Sequence, residues 1–235
     1  LMFIPFCEKL SAKEVFPTPQ TEFNPRKYIC YHTDKKIVVD GKLNEKAWEA
    51  AEWTEYFIDI EGDLKPEPTY GTRVKMLWDN EYFYIAAFLE EPHVWAKLKQ
   101  RDTVVYYDND FEIFIDPNSD AHEYYEYEVN AFNTVWDLFI TKPYRDGAVA
   151  LFNWDIKGLK SAVWVDGTIN DPSDIDKGWY VEVAYPWSVL KEAAHRETPP
   201  QNNDQWRVNF SRVQWEMEVT NNNYKKSINS ETGHH

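Results

Sequence analysis

The sequence predicts an all-β protein: an antiparallel β-sandwich of two sheets, immunoglobulin-like or jelly-roll-like, with two short helices. Short segments that alternate apolar and polar residues recur along the chain, separated by turn signals such as Asp40-Gly41 and Asp79-Asn80. This is the pattern of antiparallel strands. Aromatic residues make up 17% of the 235 residues, and aromatic residues are enriched in strands. Only two segments have a helical pattern, which argues against a helical bundle.

Two segments precede the predicted sandwich. Residues 1–12 are a short apolar run that ends in small residues, and this pattern predicts the remnant of a signal peptide and an exported protein. Residues 13–27 carry three prolines among polar residues and are expected to form an extended strap. The sandwich is predicted over residues 28–219. Residues 220–235 are expected to be a polar tail, with a truncated end or a tag remnant at its two histidines.

The first half of the predicted sandwich contains a clear hairpin signal. Alternating residues on both sides of Asp79-Asn80 predict two paired strands. Asn44 is expected to cap a short helix anchored by Trp48. In chain order, the predicted elements are strands in residues 28–39, a helix in 45–51, a strand in 57–60, and a hairpin of 73–78 with 82–89.

The central strand is predicted over residues 111–116. Phe111, Ile113 and Ile115 share one face at period two, and Glu112, Phe114 and Asp116 share the other. An ionised carboxylate is costly to bury unless a partner neutralises it. Glu112 therefore indicates either a face open to solvent or a face that lines a site.

The second half repeats the hairpin pattern and then becomes irregular. Phe132-Asn133 is the predicted turn of a second hairpin. Residues 141–158 are expected to be a long loop, and loops of this length are often functional. The other predicted elements are strands in residues 124–131, 134–140, 159–165, 179–185 and 206–214, and a helix in 186–190 with proline in its first turn.

Charge excludes some classes of partner. The formal net charge is −15 and the sequence pI is about 4.8. Nucleic acid and anionic membranes bind through basic patches, so neither is expected as a partner. No apolar run approaches the length of a membrane span. A neutral or cationic ligand fits this charge.

Four phrases in one order resemble the family 9 carbohydrate-binding modules, within the wider group of DOMON-like sandwiches. They are IVVDGKLNEKAW at 37–48, KMLWDNEYFYIA at 75–86, DNDFEIFIDP at 108–117 and GWYVEVAYPW at 178–187. The resemblance implies a two-sheet sandwich with bound calcium and a site in which two rings clamp a glycosyl unit. It also implies a module without catalytic activity, often joined to a xylanase or another glycoside hydrolase.

The resemblance places the site on the central strand. Glu112 is the implied sugar contact, and Tyr106 or Tyr107 falls where sugar-binding members have a tryptophan. Glu128 falls where those members have an arginine, so a cation is missing at that position. The second ring is expected after residues 206–214, where Tyr224 is the only aromatic residue. The predicted ligand-binding residues are Tyr106, Tyr107, Glu112, Glu128, Trp136 and Trp154.

Two acidic loops are candidates for calcium. Asp116, Asn118 and Asp120 lie two residues apart, so their oxygens can converge on a hard cation. The loop lacks the glycine and the final glutamate of an EF-hand. The second loop contains Asp171, Asp174 and Asp176. Solvated acidic turns are the alternative for both loops.

The predicted function is non-catalytic binding of an oligo- or polysaccharide such as xylan, outside the cell or in the periplasm, beside a partner glycoside hydrolase. One alternative is a glycoside hydrolase that uses Glu112 with Glu126 or Glu128, since two carboxyl groups at a suitable separation hydrolyse glycosidic bonds. A second alternative is a haem-binding redox module of the DOMON-like type. Met76 could serve as its ligand, but its strand phase favours a place in the core.

Overall fold

The computed structural model describes residues 24–227 and 233–234. It confirms the predicted β-sandwich. The strands are β1 Tyr31–His32, β2 Thr72–Trp78, β3 Tyr82–Glu90, β4 Asp110–Asp116, β5 Tyr124–Asn130, β6 Val135–Ile140, β7 Ala150–Leu151, β8 Lys160–Asp166, β9 Gly178–Pro186, β10 Arg207–Gln214, β11 Met217–Thr220, β12 Asn223–Lys226 and β13 Gly233–His234. The helices are α1 Lys46–Glu49 and α2 Trp187–Ala194, and short 3₁₀ turns lie at Gly62–Leu64, Val105–Tyr107 and Tyr144–Asp146.

The strands form two main sheets. The five-stranded sheet has the order β1-β2-β3-β9-β8, and the six-stranded sheet has the order β13-β10-β4-β5-β6-β7. Neighbouring strands are antiparallel except β1, which pairs with β2 in parallel. Strands β11 and β12 form a separate hairpin. The central strand β4 lies between β5 and β10, so side chains from three strands meet on each of its faces.

The two sheets share one core. Alternate residues of β3 and β9 pack against alternate residues of β4 and β5 in a single hydrophobic cluster. Phe111, Ile113 and Ile115 belong to it and are fully buried, as their period-two spacing predicts. Met76 also belongs to this cluster, where its strand phase placed it. Because the apolar face of β4 points into the core, its acidic face must point outward.

The outer faces of the two sheets differ: one is covered and the other is open. On the five-stranded sheet, Leu77, Tyr84 and Ala86 are covered by α1 and the chain before it, with Trp48 almost completely buried there. On the six-stranded sheet, the outer face forms the floor of an open cleft. Among the described residues, no helix is long and apolar enough to cross a membrane.

Several predicted elements differ from the structure. Residues 57–60 are not a strand; Phe57 N–H donates one isolated hydrogen bond, 3.0 Å long, to Thr72 O. In residues 28–39 only β1 pairs with a neighbour. α1 is shorter than predicted, and Asn44 does not cap it, because its N-cap residue is Glu45. The predicted boundary between residues 219 and 220 falls inside β11. The signal peptide, and the strap up to residue 23, lie outside the described residues.

Candidate binding site

The cleft lies on the outer face of the six-stranded sheet and has a volume of about 600 Å³. The strand register explains why acidic residues meet there. Glu112 on β4 lies directly opposite Glu128 on β5 and opposite Ser211 on β10. One row further along, Phe114 pairs with Glu126 and with Asn209. Since side chains on one face of neighbouring strands are close together, these residues form a continuous floor.

Three glutamates of this floor are buried. Glu112, Glu126 and Glu128 are 4%, 5% and 2% exposed. The Ser211 hydroxyl donates a short hydrogen bond to Glu112, and the Tyr144 hydroxyl donates one to Glu126. The Tyr106 backbone N–H donates to Glu128, and the side chains of Glu126 and Glu128 share a hydrogen bond. Two carboxyl groups can share a hydrogen bond only when one of them carries the proton.

Burial and mutual repulsion raise the pKa values of this floor. The pKa of Glu128 rises to about 10, because the side chain is desolvated and faces Glu112 and Glu126. Desolvation also raises the pKa of Glu126 to about 7, although the Tyr144 hydroxyl opposes the rise. Both directions follow from the cost of holding neighbouring negative charges in a dry site.

Asp110 completes a group that we call the carboxylate triad: Asp110, Glu112 and Glu128. One carboxylate oxygen of each residue lies within 4.8 Å of those of the other two. Asp110 is fully buried, and burial beside Glu112 and Glu128 raises its pKa well above the usual range. Asp110 Oδ1 accepts the Val213 N–H at 3.1 Å, but its Oδ2 and Glu128 Oε2 have no hydrogen-bond partner. Unsatisfied buried oxygens of this kind are rare in native proteins.

Aromatic rings form the walls of the cleft. Trp136 is adjacent to Glu128 in the register and contacts rings on both sides. Its ring stacks on Phe152, with centroids 5.8 Å apart and planes 11° apart, and its centroid lies 6.2 Å from that of Tyr106. Phe152 is 59% exposed, so one face of this stack is open to a ligand. Rings beside polar acceptors suit sugars, whose C–H faces stack and whose hydroxyls donate.

The structure brings together four of the six predicted ligand-binding residues: Tyr106, Glu112, Glu128 and Trp136 all line the cleft. The ring of Tyr107 contacts that of Tyr106 at an angle of 60°, with centroids 5.1 Å apart, but Tyr107 does not line the cleft. Trp154 packs against Tyr125 and Phe139 on the core side of the sheet. Trp154 therefore does not face the cleft, because its partners occupy the opposite phase of β5 and β6.

Tyr224, the aromatic residue expected to lie near a second ring position, is elsewhere. Its hydroxyl hydrogen-bonds His93 Nδ1 and the Asp171 carbonyl, each at 3.1 Å. Neighbouring Lys226 sits over the ring of Trp215, 3.6 Å from its centroid, and donates to the Tyr107 carbonyl. The β11–β12 hairpin thus supports the turn that carries Tyr106 without supplying a ring to the cleft.

Other lining residues were missed by sequence reasoning. Arg207, Asn209 and Ser211 reach the cleft from β10, and Tyr144 and Phe152 reach it from the long loop. The period-two alternation of polar residues with Val208 and Phe210 was a readable signal of a polar face on β10. The loop residues gave no such signal, because their position depends on how residues 141–158 fold over the sheet.

The predicted calcium loop is closed by its own hydrogen bonds. Asp116 Oδ1 and Oδ2 accept the N–H groups of Ser119 and Ala121, each at 2.8 Å. Asn118 Nδ2 donates to Asp120 Oδ2 at 3.0 Å. In the second loop, Asp176 accepts N–H groups from Val94 and Thr168. These bonds satisfy both carboxylate oxygens of Asp116 and of Asp176 without a cation. Calcium at either loop stays a prediction.

A β-sandwich with one covered face, and one open face that forms an aromatic, acidic cleft, is a ligand-binding module. The model of the family described as "Carbohydrate family 9 binding domain-like" matches residues 39–232. The chain belongs to this family, as the four phrases predicted. It is a family of binding modules, not of catalytic domains.

Similar proteins agree with this assignment. Over 154 residues, 66% of the chain, it is 27% identical to "Endo-1,4-beta-xylanase A" of Thermotoga neapolitana, and the match spans 12% of that protein. A family 9 module from Caldicellulosiruptor kristjanssonii in complex with cellotriose has a TM-score of 0.51 at 17% identity, covering 79% of this chain and 76% of that one. A putative carbohydrate-binding protein from Bacteroides uniformis has a TM-score of 0.55 at 14% identity, covering 78% and 82%.

Proposed function

We propose that this chain binds a glycosyl unit of an oligo- or polysaccharide in the cleft, without transforming it. The observation that carries the proposal is the Trp136–Phe152 stack beside the acidic floor. One exposed ring face lies next to buried acceptors, which is the arrangement that a sugar requires. Family membership supports the same conclusion.

In this proposal the cleft makes two kinds of contact with the sugar. Phe152 and Tyr106 offer ring faces to the C–H side of the sugar, and Trp136 fixes their positions from behind. Asn209, Arg207 and the glutamates exchange hydrogen bonds with the hydroxyls. A glycosyl unit fits the cleft, since ligand pockets commonly measure about 300–1,000 Å³.

We further propose that the module is exported and acts in polysaccharide breakdown, joined to or beside a glycoside hydrolase. The xylanase relative supports this, because only about an eighth of that protein's length corresponds to this chain. Xylan and cello-oligosaccharides are therefore the first ligands to test.

Replacing Phe152 by alanine tests the proposal. Phe152 is exposed, so its loss should not unfold the protein. We expect the affinity for xylo- or cello-oligosaccharides, measured by isothermal titration calorimetry, to fall about fivefold, since a stacked ring contributes about 1 kcal/mol. Tyr31→Ala is the matched control. Tyr31 is 53% exposed but lies on the five-stranded sheet, so this variant should bind the oligosaccharide with unchanged affinity.

Equal affinities for Phe152→Ala and the unchanged protein would remove the stack from the site. A hydrolysis assay on the same oligosaccharides separates the enzyme alternative. Turnover that disappears in Glu112→Gln would replace binding by catalysis as the function, whereas retention of intact ligand supports the module.

A further inference from the structure

The carboxylate triad has the geometry of a cation site. Its three oxygens lie within 4.8 Å of one another. Calcium binds oxygen at about 2.3–2.6 Å, so two of its ligands can stand up to about 5.2 Å apart. Three oxygens at most 4.8 Å apart lie within about 2.8 Å of a common centre, so a small movement of the side chains brings all three to the Ca–O distance. An oxygen-only set of carboxylates is also the type that hard cations prefer.

Two oxygens of the triad need a partner that the described part of the chain does not supply. Asp110 Oδ2 and Glu128 Oε2 are buried without a hydrogen bond, and their residues are 0% and 2% exposed. Among the described residues, neither Asp110 nor Glu128 forms an ion pair with a basic side chain. Buried charges are normally paired or coordinate a metal.

The other acidic group of the chain shows what a satisfied cluster looks like. Asp102, Asp137 and Asp155 also lie within 4.8 Å of one another. That cluster contains a cation already, because Arg101 forms ion pairs with all three, at 3.1 Å to Asp155. In the triad, neither Asp110 nor Glu128 has such an arginine among the residues that the structure describes.

We propose that the carboxylate triad binds a calcium ion at the floor of the cleft. Calcium takes 6–8 oxygen ligands, and three carboxylates leave positions free. Glu112 and Glu128 line the cleft and Asp110 is fully buried beside them, so the free positions face the space where the ligand binds. Sugar hydroxyls complete the coordination; this last step rests on the proposed function, whereas the cation site itself does not.

Calcium binding is tested without any sugar. We expect calcium chloride to raise the melting temperature by about 5–10 °C at a hundredfold excess over the dissociation constant. Titration calorimetry should detect one ion whose binding requires the triad. Asp110→Asn and Glu128→Gln keep the side-chain shape and should remove that ion and its share of the rise in melting temperature. Asp155→Asn, in the cluster that contains Arg101, should keep both. The absence of a response in the unchanged protein, or an equal response to sodium chloride at the same ionic strength, would overturn the site.

The glycan step has a separate readout. In chelator, we expect the affinity for the oligosaccharide to fall at least tenfold and to recover on adding calcium. Glu128→Arg should bind sugar equally with and without chelator, since its guanidinium would then supply the positive charge among the acids. Equal affinities of the unchanged protein in chelator and in calcium would exclude the cation from sugar binding. Calcium binding without any sugar binding would support the ion site and contradict the proposed function.

Discussion

Glu182 and Glu128 are buried glutamates in the middle of strands, on the opposite outer faces of the sandwich. Glu182 Oε1 accepts the Trp48 Nε1–H at 2.9 Å, and its Oε2 accepts the N–H groups of Asp40 and Gly41 at 2.9 and 3.1 Å. Glu128 keeps one oxygen without a partner. Burial raises both pKa values, to about 7 for Glu182 and to about 10 for Glu128. At Glu182, the three N–H donors oppose the rise of the pKa. At Glu128, the neighbouring carboxylates of Glu112 and Glu126 add to the rise.

This difference indicates that Glu182 has a structural role, whereas Glu128 is available to a ligand. Glu182 fastens the segment around Asp40 and α1 to the five-stranded sheet, so its hydrogen bonds hold the covered face in place. The carboxylate triad also accepts hydrogen bonds, from Val213, Ser211 and Tyr106, but it keeps Asp110 Oδ2 and Glu128 Oε2 buried without a hydrogen-bond partner. A fold retains such a site at a cost in stability, and sites of this kind concentrate where proteins bind or react.

Removing the structural acid should have the largest effect. Glu182→Ala leaves three N–H donors without their acceptor, and the two from Gly41 and Trp48 are buried. Each buried donor left unsatisfied costs about 1–3 kcal/mol. We expect the free energy of unfolding to fall by about 3 kcal/mol, measured by urea denaturation. Glu128→Ala, a glutamate equally deep on the other face, should change it by less than about 1 kcal/mol in chelator. Equal losses at the two positions would show that Glu128 and Glu182 have the same structural role.

The pH dependence of stability should show a second, smaller effect. The folded-state pKa of Glu182 is about 7, above its ordinary value of 4.5. The folded state therefore binds more protons than the unfolded state between these values, and stability falls as pH rises through that window. Between pH 5 and 8 we expect a loss of about 2 kcal/mol from this group. Glu182→Gln should be less stable at pH 5 but lack this component of the slope. Parallel curves for the two proteins would contradict the pKa of Glu182.

The fold could be predicted from sequence because its signals are local. The hairpin of β2 and β3 lies within one residue of its predicted limits, since alternation and the Asp79 turn act over a few residues. Asp79 Oδ1 accepts the N–H groups of Glu81 and Tyr82, at 2.7 Å each, which closes that turn. The strand predicted at residues 57–60 failed because alternation there is not accompanied by a pairing partner along its length.

The site could be predicted only in part because it depends on register. Ser211 meets Glu112 across 99 positions of sequence, and no local pattern states that β10 lies beside β4. Trp154 was assigned to the cleft for its residue type, yet the phase of Tyr125 and Phe139 draws it to the core side. Glu112 could be predicted because a carboxylate in an apolar strand is conspicuous in the sequence itself, whereas Glu128 was placed in the site by the family resemblance.

The smallest predicted effect is a change in stability on replacing Glu128, and its sign should differ between chelator and calcium. Glu128→Gln removes an acid whose Oε2 lacks a partner and which faces Glu112 and Glu126. Because the pKa of Glu128 is about 10, the folded protein must hold a proton on this side chain at neutral pH. An amide of the same shape is neutral without taking up a proton, so in chelator we expect the free energy of unfolding to rise by about 1 kcal/mol. In calcium the unchanged protein should become the more stable of the two, because only it keeps all three ligands for the ion. Denaturation of both proteins in the two buffers measures the reversal. A Glu128→Gln protein that is less stable in both buffers would show that Glu128, like Glu182, is held for structure alone.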